Sequence, residues 1–149
     1  MTEELDRHVR LHLYDSFLAA GQPPTAAETA EALAIPPNEA EEAYRRLEQG
    51  RVIVLAPGTT NVWMANPLSA VPTRFRAVTV DGRSWWGNCV WDGLGILAMV
   101  GSDGTVDTSC PDCGAKIELR VEGGDLQPVN AVIHFAVPAA RWWENIGFT

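Results

Sequence analysis

Pro67 and Pro72 fall in one short stretch, Asn66-Pro-Leu-Ser-Ala-Val-Pro-Thr73, where each removes an amide donor and restricts the backbone around it. No regular element is expected to run across such a segment, so it divides the chain into residues 1–65 and 66–149. The first part is patterned for helices. Apolar side chains recur at Leu5, Val9, Leu13, Phe17 and Leu18, spacings of three and four that mark one face of a helix ending at Gly21. Thr25 with Glu28 makes a capping-box pattern that opens a second helix, Ala26 to Ala34. Asn38 with Glu41 repeats the pattern and predicts a third helix to Gln49, capped by Gly50. Arg51–Leu55 and Asn61–Ala65, with a Pro57-Gly58 turn between them, read as a hairpin. Three helices and a hairpin predict a winged-helix-like, helix-turn-helix domain over residues 1–65.

Residues 66–149 mix both kinds of pattern. A strand is expected at Phe75–Val80, a turn at Asp81-Gly82 and a helix from Asn88 to Val100. Strands follow at Thr105–Cys110, Lys116–Glu122 and Ala131–Val137, then a short amphipathic helix through Trp143. The fold class is therefore α+β, with a three-helix winged-helix-like domain ahead of a small α+β domain.

Composition narrows the partners. A formal net charge of −8 repels a phosphate backbone, and residues 1–65 hold five arginines against ten acids. The third helix carries Glu39, Glu41, Glu42 and Glu48 against Arg45 and Arg46, an unfavourable face for DNA. No nucleic acid is expected as a partner. No apolar run approaches the roughly 20 residues of a membrane helix, and the start Met1-Thr-Glu-Glu4 is acidic where a secretory signal is basic. The expectation is a cytoplasmic protein without a membrane partner, monomeric or homodimeric.

Three cysteines without an export signal argue for thiol or metal chemistry over a disulfide framework. Cys89 and Asp92 stand three apart at the start of the expected helix, so their side chains share a face. A helix N-terminus favours negative charge and is expected to lower the Cys89 thiol pKa. A plain alternative makes Cys89 a small buried hydrophobe and Asp92 a capping carboxylate. Cys110-Pro-Asp-Cys113-Gly is a knuckle that turns two sulfurs toward one metal, half of a zinc site. His134 and Cys89 complete it only if the fold brings them there. His8 and His12, four apart on the first helix, are assigned no role. Of the six tryptophans, Trp85, Trp86 and Trp91 flank Cys89 and are expected to wall a pocket.

The segment Asn88-Cys-Val-Trp-Asp-Gly-Leu-Gly95 resembles the Cys-x-x-Asp signature of the alkylmercury (organomercurial) lyase family. Asn66–Phe75 is similar to the family's connector between helical and catalytic domains, and Ala131–Pro138 before Trp142-Trp143 fits the same family. The resemblance spans nearly the whole chain. It implies that residues 66–149 form a lyase-like catalytic domain, with Cys89 binding mercury and Asp92 passing a proton to the leaving carbon. It also implies a second catalytic cysteine on a late strand, whereas the chain reaches Ile146-Gly-Phe-Thr149 and ends. The domain is accordingly expected to lack its last strand, as a degenerate homologue, a truncated chain, or a gene whose next stop codon is read as selenocysteine.

Three functions follow as expectations. The first is a lyase acting on a small organomercurial, needing no cofactor and holding mercury as substrate or product ion. The second is a binding module that captures mercury or another thiophilic ion through Cys89, Cys110 and Cys113 without turnover. The third, disfavoured by charge, is a winged-helix, metal-responsive regulator.

Overall fold

The computed structural model describes residues 2–147. Helices α1 (Thr2–Ala20), α2 (Ala26–Leu33) and α3 (Pro37–Gln49) come first. They enclose Val9, Leu13, Phe17, Ala43 and Tyr44, all buried, and the α1 members are those the helical spacing selects. Burying a tyrosine hydroxyl is costly unless it is paired. The Tyr44 hydroxyl bonds the Pro24 carbonyl at 3.0 Å and the Thr29 hydroxyl at 2.8 Å. Arg46 forks onto the Asp6 carboxylate at 2.6 and 2.9 Å, clamping α3 to α1 in two-pronged geometry.

The Thr25–Glu28 capping box forms in full: the Thr25 hydroxyl accepts from Glu28 N–H, and the Glu28 carboxylate accepts from Thr25 N–H at 2.7 Å. The Asn38–Glu41 box does not form. α3 begins at Pro37 with Pro36 as its N-cap and no side-chain cap, because a proline in the first turn has no N–H to satisfy.

Strands β1 (Val54–Leu55), β2 (Val62–Ala65), β3 (Leu68–Ser69), β4 (Arg76–Thr79), β5 (Ser84–Gly87), β6 (Gly104–Ser109), β7 (Lys116–Glu122) and β8 (Asp125–Leu126) make one sheet. Its order is β1-β2-β3-β5-β4-β6-β7-β8, and every neighbouring pair is antiparallel. Sequence reading places no strand in the proline-rich connector, yet β3 lies there. Leu68 and Ser69 follow Pro67 and precede Pro72, so their own amides are free to pair with β2 on one side and β5 on the other. The sheet is therefore continuous across residues 65 and 66.

Two side chains tie α1 to this sheet. The Tyr14 hydroxyl donates to the Asn66 carbonyl at 2.9 Å, and the Trp85 indole N–H donates to the Leu18 carbonyl at 3.0 Å. Trp85 and Trp86 belong to β5, a strand that the sequence reading passes over.

Helix α4 (Val90–Val100) packs across β4, β5 and β6. It starts two residues later than the patterning predicts, with Cys89 as its N-cap. Beyond β8 the expected strand Ala131–Val137 is absent. Gln127 N–H still reaches the Arg120 carbonyl at 2.8 Å, but Pro128 has no N–H to carry the ladder on. Residues 131–136 run irregular and exposed instead, Val132 at 92%. The short helix before the end is a 3-10 helix, Ala139–Glu144. The late strand implied after Ile146 falls outside the described residues.

The approach of α4 to the sheet depends on two glycines. A Cβ at Gly87 would stand 2.7 Å from Gly93 N and 3.1 Å from the Cys89 carbonyl oxygen, and one at Gly93 would stand 2.6 Å from a Val106 methyl. Because the Gly87 neighbour is backbone, Gly87→Ala is expected to lever the start of α4 off β5, at a cost of about 1–3 kcal/mol as overpacking. Urea unfolding measures this; wild-type stability in the variant would contradict the close packing.

Candidate active site

The strand-to-helix corner after Gly87 presents Cys89 and Asp92. The Thr73 hydroxyl donates to the Gly87 carbonyl at 2.6 Å, and the Asn88 side-chain N–H donates to Asn66 Oδ1 at 2.9 Å and the Pro67 carbonyl at 3.3 Å. These bonds anchor the corner to the connector. Cys89 is extended, at φ −143° and ψ 179°, and its sulfur accepts the Asp92 N–H at 3.4 Å. The thiol thus caps an amide that the helix leaves without an internal partner. The Cys89 thiol and the Asn88 side chain both act to lower the Asp92 carboxyl pKa against burial. The structure thus joins Cys89 to Asp92 through the Asp92 amide.

Burial governs the protonation of both groups. It pushes the Cys89 thiol above its ordinary value, with the Asp92 carboxylate acting in the same direction and the Asp92 N–H against it. The lowering expected from the helix N-terminus is outweighed, since desolvation penalises the thiolate more than the Asp92 and Trp91 amides favour it. Burial also raises the Asp92 carboxyl, opposed by Cys89 and Asn88. Both groups are held toward their protonated forms.

Cys89 lines a cavity of about 560 Å³. Phe75, Thr108, Ile117 and Leu119 line it from the sheet, Trp63 and Met64 from β2, and residues 131–137 with Trp142 from the chain's last part. The last part is held together by the Trp142 indole N–H, which donates to the Val137 carbonyl at 2.7 Å. Phe135 adds its ring, 5.3 Å from that of Trp142. Among the described residues, Asn88 Oδ1 and Thr108 Oγ1 are buried without a hydrogen-bond partner, and both residues line this cavity. Asp92 does not line it and reaches it through the thiol.

Several expected site residues stand elsewhere. Trp85 is buried against α1 at 4% exposure, Trp86 lies under the Arg76 guanidinium, and Trp91 points outward at 61% exposure; none lines the cavity. Strand alternation in β5 turns Trp85 to the interior, and the first turn of α4 turns Trp91 to solvent. Cys110 and Cys113 lie in the β6–β7 turn, half-buried and exposed respectively. Among the described residues no three His, Cys, Asp or Glu side chains are placed to hold one metal ion. The three cysteines therefore do not assemble into one ligand set. His134 does share the cavity with Cys89, as do Trp63, Thr108 and Trp142, which local patterning alone does not single out.

A half-buried thiol that caps a helix, bonds the amide of a half-buried acid and belongs to the lining of a largely apolar cavity makes a thiol-and-acid site. Residues 68–149 match the family model for alkylmercury lyase, MerB. The chain belongs to the alkylmercury lyase family. It is 28% identical over 131 residues to alkylmercury lyases of Bacillus cereus and Clostridium butyricum, a stretch covering 82% of this chain and 55% of each relative. The chain thus spans about half the length of these curated relatives. A crystal structure of the mercury-bound form of MerB2 superposes with a TM-score of 0.63 at 21% identity, over 80% of this chain and 58% of that one. This likeness establishes a shared α+β fold. No helix among the described residues is long and apolar enough to cross a membrane.

The raised Asp92 pKa fixes a pH dependence. An unfolded aspartate ionises near pH 4, while the folded carboxyl ionises higher, so over that interval the folded state holds the extra proton. Stability present below the unfolded value should fall as pH rises through the folded one. Asp92→Asn should flatten that fall in urea unfolding curves taken across the pH range, and parallel curves for the two proteins would count against the buried acid.

Proposed function

We propose that the Cys89 cavity takes a small organomercurial and cleaves its carbon–mercury bond by protonolysis. The observation that carries this is Cys89 in the lining of a largely apolar cavity with the Asp92 amide bonded to its sulfur, and burial raises the Asp92 carboxyl pKa in support. Family membership supports the same reading. Apolar lining favours the organic group, and mercury, a soft ion, prefers sulfur to the nitrogen and oxygen donors nearby.

The raised thiol pKa does not obstruct capture, because a thiophilic ion displaces the thiol proton as it binds. In the first step the Cys89 sulfur bonds to mercury, and the thiol proton leaves with the displaced ligand. A second thiolate then joins the metal and pushes electron density toward the carbon. The pair of the mercury–carbon bond takes the proton of Asp92, the hydrocarbon departs, and mercury stays divalent on sulfur. Asp92 regains a proton from water or from the incoming thiol.

Cys89 supplies one of the two sulfurs. A thiol or selenol encoded past Thr149 would supply the other within the same polypeptide, and the gene sequence beyond that codon tests this. A free monothiol takes the role in the assay below.

With phenylmercury as substrate and excess monothiol, Cys89→Ser should reduce benzene release to the uncatalysed level. Asp92→Asn should lower the rate by about a hundredfold or more, the usual scale for removing a positioned proton donor. Unchanged release from Cys89→Ser would refute the assignment. Mass spectrometry that finds the phenyl group still bound to wild-type protein would make the site one of capture instead of cleavage.

A further inference from the structure

The turn between β6 and β7, Cys110-Pro-Asp-Cys-Gly-Ala115, is not used by the chemistry at Cys89. Cys110 N–H donates to the Ala115 carbonyl at 2.8 Å, and Gly114 N–H donates to the Cys110 carbonyl at 2.9 Å. Gly114 sits at φ +72°, a backbone state that side chains disfavour. This path folds the chain around one sulfur. The turn brings Cys113 back toward Cys110, three residues before it in the chain. Both cysteines are free, and Cys113 is exposed.

Two free cysteines three apart in one such tight turn are placed as a knuckle that can share an ion. The number of donors then selects the ion. Among the described residues no third Cys, His, Asp or Glu completes a larger set. Zinc in a structural site takes four protein ligands, whereas the softest thiophilic ions are satisfied by two thiolates. The turn also adjoins the cavity, because Ser109 and Pro111 help line it.

We propose that Cys110 and Cys113 form a second metal site, separate from Cys89, holding one soft thiophilic ion in two-sulfur coordination at the cavity rim. For a divalent ion two metal–sulfur bonds form and two S–H bonds break. Two protons leave, and no oxidation state changes. The site does not depend on carbon–mercury cleavage.

The test uses the full chain carrying Cys89→Ser, so that binding at Cys89 does not contribute. Hg2+ is the probe, with excess monothiol as competitor and native mass spectrometry as the readout. Cys89→Ser should retain one Hg2+ per chain. Adding Cys113→Ser should weaken retention about a hundredfold, the gain expected when two sulfurs act as one chelate. Far-UV circular dichroism should match in both proteins, because the turn is at the surface. Equal Hg2+ retention by the two proteins would overturn the proposal. So would retention of Zn2+ at one ion per two chains with a dimer mass, which would make the turn half of a shared four-thiolate site.

Discussion

The near-contact of α4 with β5 is the constraint on which the site rests. Gly87 and Gly93 leave no side chain between the strand end and the first helical turn, so the chain reverses within a few residues and delivers Cys89 as the cap. With no room for a bulkier corner, the sulfur bonds the Asp92 amide. One backbone bond thus ties the two residues. The connector, held to Asn88 by hydrogen bonds, fixes the corner from outside.

Burial then gives the pair its chemical character. In water a thiol and a carboxyl three residues apart would differ widely in acidity, the acid ionised and the thiol mostly not. Here desolvation holds both toward neutrality. An acid and a thiol both shifted toward their neutral forms suit the proposed protonolysis, in which one group takes the metal and the other gives a proton. The unpaired oxygens of Asn88 and Thr108 add polar points to a largely apolar wall.

Much of this was legible in the sequence where the information is local. Helical spacing marks Val9, Leu13 and Phe17, the Thr25–Glu28 box forms as its residues dictate, β7 has the expected bounds, and Cys89 with Asp92 three residues on share a helix start. Nonlocal features were not. β3 depends on two neighbours distant in sequence. The Ala131–Val137 run has the composition of a strand but no ladder to join after Pro128. The tryptophans beside Cys89 are its neighbours in the chain, and strand alternation and helix rotation turn them elsewhere, while Trp63 and Trp142 arrive from remote elements. Burial likewise overrode the helix N-terminus at Cys89, a competition that spacing cannot weigh.

The family match begins at Leu68, but the molecule does not divide there. Trp63 and Met64 of β2 close one side of the cavity, and β2 is also the partner of β3. A piece cut at that residue would bare the amides of Leu68 and Ser69 as a raw sheet edge, open to pairing with other chains. It would also strip the Trp85 indole of its acceptor on α1 and open the Cys89 cavity to solvent on one flank. The shortest stretch able to enclose that sulfur therefore extends back into the helical half.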